Sequence, residues 1–463
     1  MRETLRQTVE LAAGIAIAVL LTRAWLVESF VVPSGSMAPA LWGTHRLVKC
    51  KDCGYPFACG TEVEPVAPRA VCPNCDFAGN PLDSLPDTPG DRLLVWKSAY
   101  DWRPPRRWEM VVFRSPEEPR ISYVKRVVGL PGESVEIRGG DVYVNGRIAR
   151  KSLAQQRAIM VGVYDTRYAP RDLPHRWQGD ERASRWYREG ELVVCHAMAQ
   201  ADVGRMATSS KAIDWLSYQH QRRIPGTPDR VEPRPVEDLY GYNQSIPRRV
   251  EATHTVGDLM LRCRLKARGR GELSFFATDG RERLIAKIDP ATGLRRLLHN
   301  DREVRRRAGQ AVLLKTPALV EFSIFDRQVC LAIDGEPAWA AYPYEPSNLP
   351  YQPSSRPLAI GVRDLNVEIS RLEVFRDVYY TATPVPVEAG HAPHPVGLGK
   401  GAYFVLGDNS PISYDSRAWR RGPAVDQRLL VGRPFLVHFP SRTVQLGRWR
   451  LRIPDVSRIR YIR

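Results

Sequence analysis

Five of the eight cysteines in this 463-residue chain fall between positions 50 and 75. Four of these form two knuckles, Cys50-x2-Cys53 and Cys72-x2-Cys75, with eighteen residues between them. A CxxC turn aims two thiolates at one point, and two such turns make a closed tetrahedral set of four sulfur ligands. A site of that kind lets a short segment hold its shape without a hydrophobic core of its own. Residues 50–90 are therefore expected to be a zinc-ribbon-like module with Cys50, Cys53, Cys72 and Cys75 as ligands of a structural zinc. Two disulfides, or four reduced thiols, are the other chemistry open to the same residues. Cys59 fits no ligand position. Cys195, Cys263 and Cys330 lie on apolar stretches and read as buried free thiols. Thr61–Arg69 and Asn80–Gly90 are rich in Pro and acidic residues and read as loops.

The N-terminal segment carries an uncharged run, Leu11 to Leu21, between Glu10 and Arg23. The run is shorter than the ~20 residues that span a bilayer. Arg23 can snorkel, however, and Trp25 suits an interface. Residues 1–27 are read as a cytoplasmic stub followed by a transmembrane anchor. The run also has the length of a cleaved signal peptide's apolar core, but no small-x-small cleavage site follows directly. Arg2 and Arg6 weakly favour a cytoplasmic N terminus, leaving the rest of a single-pass cell-membrane protein outside the cytoplasm. Such compartments are often oxidising, so the disulfide reading stays open.

Lys plus Arg number 68 against 51 Asp plus Glu, a formal net charge of +17. The surplus favours anionic partners, nucleic acid or lipid head groups. No helix-turn-helix, RRM or comparable pattern is present, so nucleic acid is not expected. For an anchored protein, an anionic lipid surface is the nearer partner, and a solvated basic surface is the simplest reading. A composition of 43% hydrophobic and 26% charged residues excludes global disorder, collagen and a polytopic membrane protein.

Beyond the apolar run comes Phe30-Val31-Val32-Pro33-Ser34-Gly35-Ser36-Met37. A β-type stretch ends at Pro33 and a tight Ser-Gly-Ser turn follows, where Gly35 permits torsions closed to other residues. Such a turn can present a serine hydroxyl beside free backbone N–H groups, as a nucleophile with an oxyanion hole requires. The base could be a lysine, if burial keeps it neutral. Lys125 lies in the strand-like run Tyr123 to Leu130, on one face with Tyr123 and Val127. Taken alone, that lysine reads better as a surface residue of an edge strand.

Five stretches in order resemble the type I signal peptidases (leader peptidases), membrane-anchored serine proteases with a Ser/Lys dyad. They are the anchor; Pro33 to Met37 with Pro39 and Leu41; Gly90 to Val95; Tyr123 to Gly132; and Gly407-Asp408-Asn409-Ser410 followed by Ser413, Asp415, Ser416 and Arg417. The resemblance implies Ser36 as nucleophile and Lys125 as general base, with no catalytic cofactor. It places the Ser36 N–H and the Ser34 hydroxyl in the oxyanion hole. It makes Ser413 the residue that orients the lysine, and Arg126, Gly407, Asp408, Asn409, Asp415 and Arg417 the supports of the site. Phe30, Val32, Met37, Leu41, Tyr123 and Val124 would line shallow pockets that accept small side chains, hence A-x-A-like cleavage sites. For each of these, core packing is the alternative. The implied partners are preproteins with signal peptides, the bilayer and the secretion translocon. A self-cleaving Ser/Lys regulator and a lectin-like module on a degenerate peptidase scaffold are two competing readings. The anchor and the Gly407-Asp408-Asn409 motif argue against the first, and intact Ser36 and Lys125 against the second.

The expected fold is mainly β. The catalytic core is discontinuous, residues 28–49, 91–150 and 401–463, closing its first hairpin at Asn145-Gly146. Residues 50–90 and 151–400 are inserts. Within the second, Leu259, Leu261, Cys263 and Leu265 alternate with charged residues, as do Val320, Phe322 and Ile324 with Glu321 and Ser323. These short two-sided strands predict a β-sandwich at about 251–380, similar to the concanavalin-like jelly rolls, read as a spacer or a protein-docking module ahead of a glycan binder. Residues 151–250 show little periodicity.

Overall fold

Arg92–Trp96 shows how the core strands arise. Leu93 and Val95 are buried while Trp96 is exposed, the period-two pattern of a half-buried strand. The computed structural model describes residues 6–8, 10–11, 13–14, 26–62, 66–170, 172–179, 184–196, 212–224, 227–244, 253–309, 311, 316–382, 395–439, 441–446 and 449–462. The expected anchor therefore lies largely outside the described residues. Among the described residues no helix is long and apolar enough to cross a membrane. Val27, taken from sequence as the anchor's end, begins the strand Val27–Val31.

That strand opens an eight-stranded antiparallel sheet in the order Val27–Val31, Arg92–Trp96, Leu430–Val437, Met110–Arg114, Ser122–Gly129, Ala402–Leu406, Val425–Asp426, with Arg460–Tyr461 also paired to Leu430–Val437. Neighbours in this sheet come from positions up to several hundred residues apart. A second sheet of four strands carries the hairpin Asp141–Val144/Arg147–Ile148, turned through Asn145 and Gly146, both at positive φ.

The cysteine module begins earlier than its knuckles suggest. His45–Lys49 pairs with Pro56–Gly60 in a separate two-stranded sheet, so these core-assigned residues belong structurally to the module. Val48, Phe57, Cys59, Ala70 and Leu82 pack with the four knuckle cysteines in a small cluster, and Cys59 is simply part of it.

The sheet of the long insert starts earlier than the sandwich bounds of 251–380 suggest. Its fourteen strands start at Val161, not near 251, and include Trp177–Gly179, Trp186–Glu189, Leu192–Cys195 and Asp214–Tyr218. Two long strands, Leu259–Thr278 and Leu358–Arg376, pair with one another across two bulges. One half of Leu259–Thr278 pairs with Ala318–Phe325 and the other with Arg283–Ile288. These arms share one core: Phe275 and Phe322, from different arms, lie 6.1 Å apart between ring centroids. Cys195 and Cys263 are buried in that core.

Candidate active site

Ser36 sits in a single 3-10 turn, Gly35–Met37, between extended Ser34 and Ala38. The turn is pinned from beneath, with Met37, Val32 and Leu41 buried in one cluster with Leu93, Val95, Met110 and Val112. Phe30 and Val124 pack against it. Five of the six predicted pocket residues thus come together. Tyr123 does not join them; it faces the opposite cluster with Val111, Phe113 and Val127. Its ring centroid instead stands 5.7 Å from Lys125 Nζ.

Lys125 Nζ donates a hydrogen bond to Ser36 Oγ at 2.5 Å. The lysine is 2% exposed. Burial draws its pKa down from 10.5 to about 8; Asp415 and Asp408 oppose the shift and Arg417 adds to it. Ser34 Oγ lies 3.4 Å from Ser36 Oγ on the exposed side of the turn.

Around the dyad lie two fully buried ion pairs. Arg126 meets Asp408 through two hydrogen bonds, at 2.8 and 2.6 Å, and donates a third to the Trp108 carbonyl. Arg417 meets Asp415 in the same two-pronged way, at 2.8 and 2.7 Å, and also reaches Ser410 and Thr381. Such forks fix orientation as well as charge. Asp415 accepts from the Gly407 N–H and is held below the ordinary carboxylate range by Arg417, against the desolvation that raises it. Asn409 grips the nucleophile turn twice: its N–H donates to the Ser36 carbonyl at 3.1 Å and its Nδ2 to the Gly35 carbonyl at 2.9 Å.

Two expectations change. Ser413 is fully buried but its Oγ has no hydrogen-bond partner among the described residues, so the lysine-orienting bond is not formed here. Gly35 is not at positive φ. Its missing Cβ is needed for space, since an added methyl would strike the Tyr242 ring and come within 2.5 Å of Glu62 Oε1.

Sequence reasoning did not find Glu62, Tyr242 and Asn243. Glu62 Oε1 accepts from the Gly35 N–H at 2.5 Å, and the single proton of the Tyr242 hydroxyl is shared between Glu62 Oε2 at 3.2 Å and the Thr44 carbonyl oxygen at 3.0 Å. Asn243 Nδ2 donates to Asn409 Oδ1 at 2.8 Å. No motif marks these residues, because they come from the inserts.

The four knuckle sulfurs lie within 4.8 Å of one another, and all four cysteines are free. Cys50–Cys75 and Cys53–Cys72 are 3.6 and 3.7 Å apart. Tetrahedral ligands at ~2.3 Å from zinc stand about 3.8 Å from each other, so the set fits that ion. No position is left open for a substrate.

The family model described as signal peptidase, peptidase S26, matches residues 79–194 and 331–439. That span takes in Lys125 and Gly407 to Arg417, and Ser36 lies before it. Signal peptidase I of Pseudomonas aeruginosa is 33% identical over 145 residues, 31% of this chain and 39% of that protein. Signal peptidase I of Leptolyngbya laminosa is 40% identical over 72 residues, 14% of this chain and 36% of that protein. The matches thus span well under two thirds of these relatives' own length. Among solved structures, a carbohydrate binding module from Bacillus subtilis is similar at 7% identity and a TM-score of 0.25, covering 43% of this chain and 94% of that one. A likeness so slight carries nothing about fold or function. The matched stretches recur across relatives and include Lys125, whose buried amine reaches Ser36, so this part of the chain is similar to the signal peptidase, peptidase S26, family.

Proposed function

We propose that the chain is a signal peptidase I, a serine endopeptidase that removes N-terminal signal peptides from exported preproteins at A-x-A-like sites. The contact between buried Lys125 Nζ and Ser36 Oγ carries this reading. A lysine neutral near pH 8 accepts the Ser36 proton as Oγ attacks the scissile carbonyl carbon, then returns it to the leaving amine. Water hydrolyses the acyl-enzyme with the same lysine as base. The Ser36 N–H and the Ser34 hydroxyl receive the oxyanion, and losing one such donor costs about 3 kcal/mol of transition-state stabilisation. Arg126–Asp408 and Asp415–Arg417 hold the lysine strand and the serine turn in register. Phe30, Val32, Met37, Leu41 and Val124 wall pockets that admit alanine and exclude larger side chains by overlap. Residues 5–27 anchor the chain beside its membrane-borne substrates, and the four cysteines hold a structural zinc that takes no part in the chemistry.

The test is to incubate the detergent-solubilised chain with a preprotein bearing an A-x-A site. Cleavage at that site is expected, and its loss in both Ser36→Ala and Lys125→Ala. Full activity in either variant removes the dyad.

A further inference from the structure

The segment Leu239–Gln244 comes from the long insert, yet it lies between the cysteine module and the catalytic core and bonds to both. The Gly60 N–H donates to the Tyr242 carbonyl, Gln244 exchanges hydrogen bonds with the backbone of Val71, and Tyr240 Oη donates to the Asp408 carbonyl at 2.9 Å. The Tyr242 ring fills a cleft made by two glycines, Gly35 of the nucleophile turn and Gly60 of the module, and a methyl on either would collide with it. Glu62, from the module, then closes on the Gly35 N–H, and Asn243 braces Asn409, which itself holds the Gly35 carbonyl. Both polar groups of Gly35, one residue before the nucleophile, are thus fastened by a chain of contacts that ends in the inserts.

We infer that Glu62, Tyr242 and Asn243 are positioning residues for Ser36, through which the two inserts form the frame of the active site. The inference rests on the peptidase reading above. None of the three touches the reacting atoms; they act on the turn that carries Ser36. A displacement near 1 Å at a nucleophile costs about a hundredfold in rate, so slackening this turn shows in kcat before it shows in binding.

The full chain in detergent is compared with Glu62→Ala, Glu62→Gln, Tyr242→Phe and Asn243→Ala on an A-x-A peptide. Thermal midpoint and hydrogen exchange at the Gly35 amide are measured alongside. Glu62→Ala is expected to lower kcat about tenfold to a hundredfold with KM within about twofold, and to speed exchange at Gly35. Asn243→Ala lowers kcat in the same direction. Glu62→Gln keeps an oxygen that accepts from the Gly35 N–H and recovers most of the loss. Tyr242→Phe, which removes one hydroxyl and leaves the ring, lowers kcat about threefold to tenfold. Glu62→Ala and Asn243→Ala with kcat within about twofold of the parent and unchanged exchange overturn the inference, as does a Glu62→Gln chain no better than Glu62→Ala. Should an alanine variant lose its cooperative transition, the outcome for Tyr242→Phe decides. If the parent chain itself cleaves nothing, the peptidase reading fails, while exchange at Gly35 still shows whether the inserts hold the turn.

Discussion

At the scale of the residue, Lys125 is where the chain gives up stability for chemistry. Burial penalises the ammonium and draws its pKa from the ordinary 10.5 down to about 8. In the mechanism proposed above the base form carries the rate, so kcat/KM is expected to rise about tenfold per pH unit below 8 and to level off above it. A rate unchanged between pH 5 and 8 would contradict the role. The same shift has a stability signature. Below pH 8 the folded and unfolded lysines are both charged, and the fold bears the full cost of about 3 kcal/mol. Between 8 and 10.5 only the unfolded lysine keeps its proton, and the cost fades; above 10.5 it is gone. Lys125→Met, less about 1 kcal/mol for the bond to Ser36, is thus expected to stabilise the inactive protein by about 2 kcal/mol at pH 7 and to destabilise it by about 1 kcal/mol above pH 10.5. Denaturant titrations at the two pH values check it, and an unstable variant at pH 7 would show that the lysine is not strained. The dyad was legible because its residues stand in ordered motifs. The reason for Gly35 was not, because the neighbour that needs the space, Tyr242, is about two hundred residues away.

At the scale of the element, spacing reveals metal ligands better than it reveals strands. Two CxxC knuckles announce themselves, since four sulfurs that converge on one point need that spacing. His45–Lys49 does not, because nothing in His-Arg-Leu-Val-Lys says whether its partner is the core or Pro56–Gly60. The early strands of the long insert were hidden for a related reason. Asp214–Tyr218 is short, and it lies between Trp177–Gly179 and Leu358–Arg376, so part of its stability comes from a strand about 150 residues on. For the cysteine module, metal analysis is expected to return about one zinc per chain. A strong chelator should expose Cys50, Cys53, Cys72 and Cys75 to alkylation and lower the thermal midpoint, because metal affinity is folding energy here. An intact mass showing two disulfides and no metal would replace the zinc with covalent staples.

At the scale of the whole molecule, the inserts are docked to one another and to the core. Arg222 and Arg176, from the sheet-bearing insert, reach Asp76 of the cysteine module at 3.2 and 3.5 Å, Arg223 pairs with Asp52, and Asn74 bonds to both Tyr168 and Asp165. The point where the long insert leaves the core is polar. Lys151 is buried between Asp326 at 2.5 Å and Asp377 at 2.9 Å, and Asp141, Asp258 and Asp326 approach within 4.8 Å of one another. One lysine does not balance these carboxylates. Burial and mutual repulsion raise Asp377 to about 6, Asp141 to about 7 and Asp258 well above its usual value. A carboxylate raised in the fold gives stability that is complete below its unfolded pKa and is lost as pH rises through the folded one. Asp258→Asn, which keeps an oxygen to accept from the Asp326 N–H, should therefore match the parent's thermal midpoint at pH 4 and exceed it at pH 8. If the parent is instead the more stable at pH 8, the ionised carboxylate is satisfied where it stands, and the junction is held by its charges as they are.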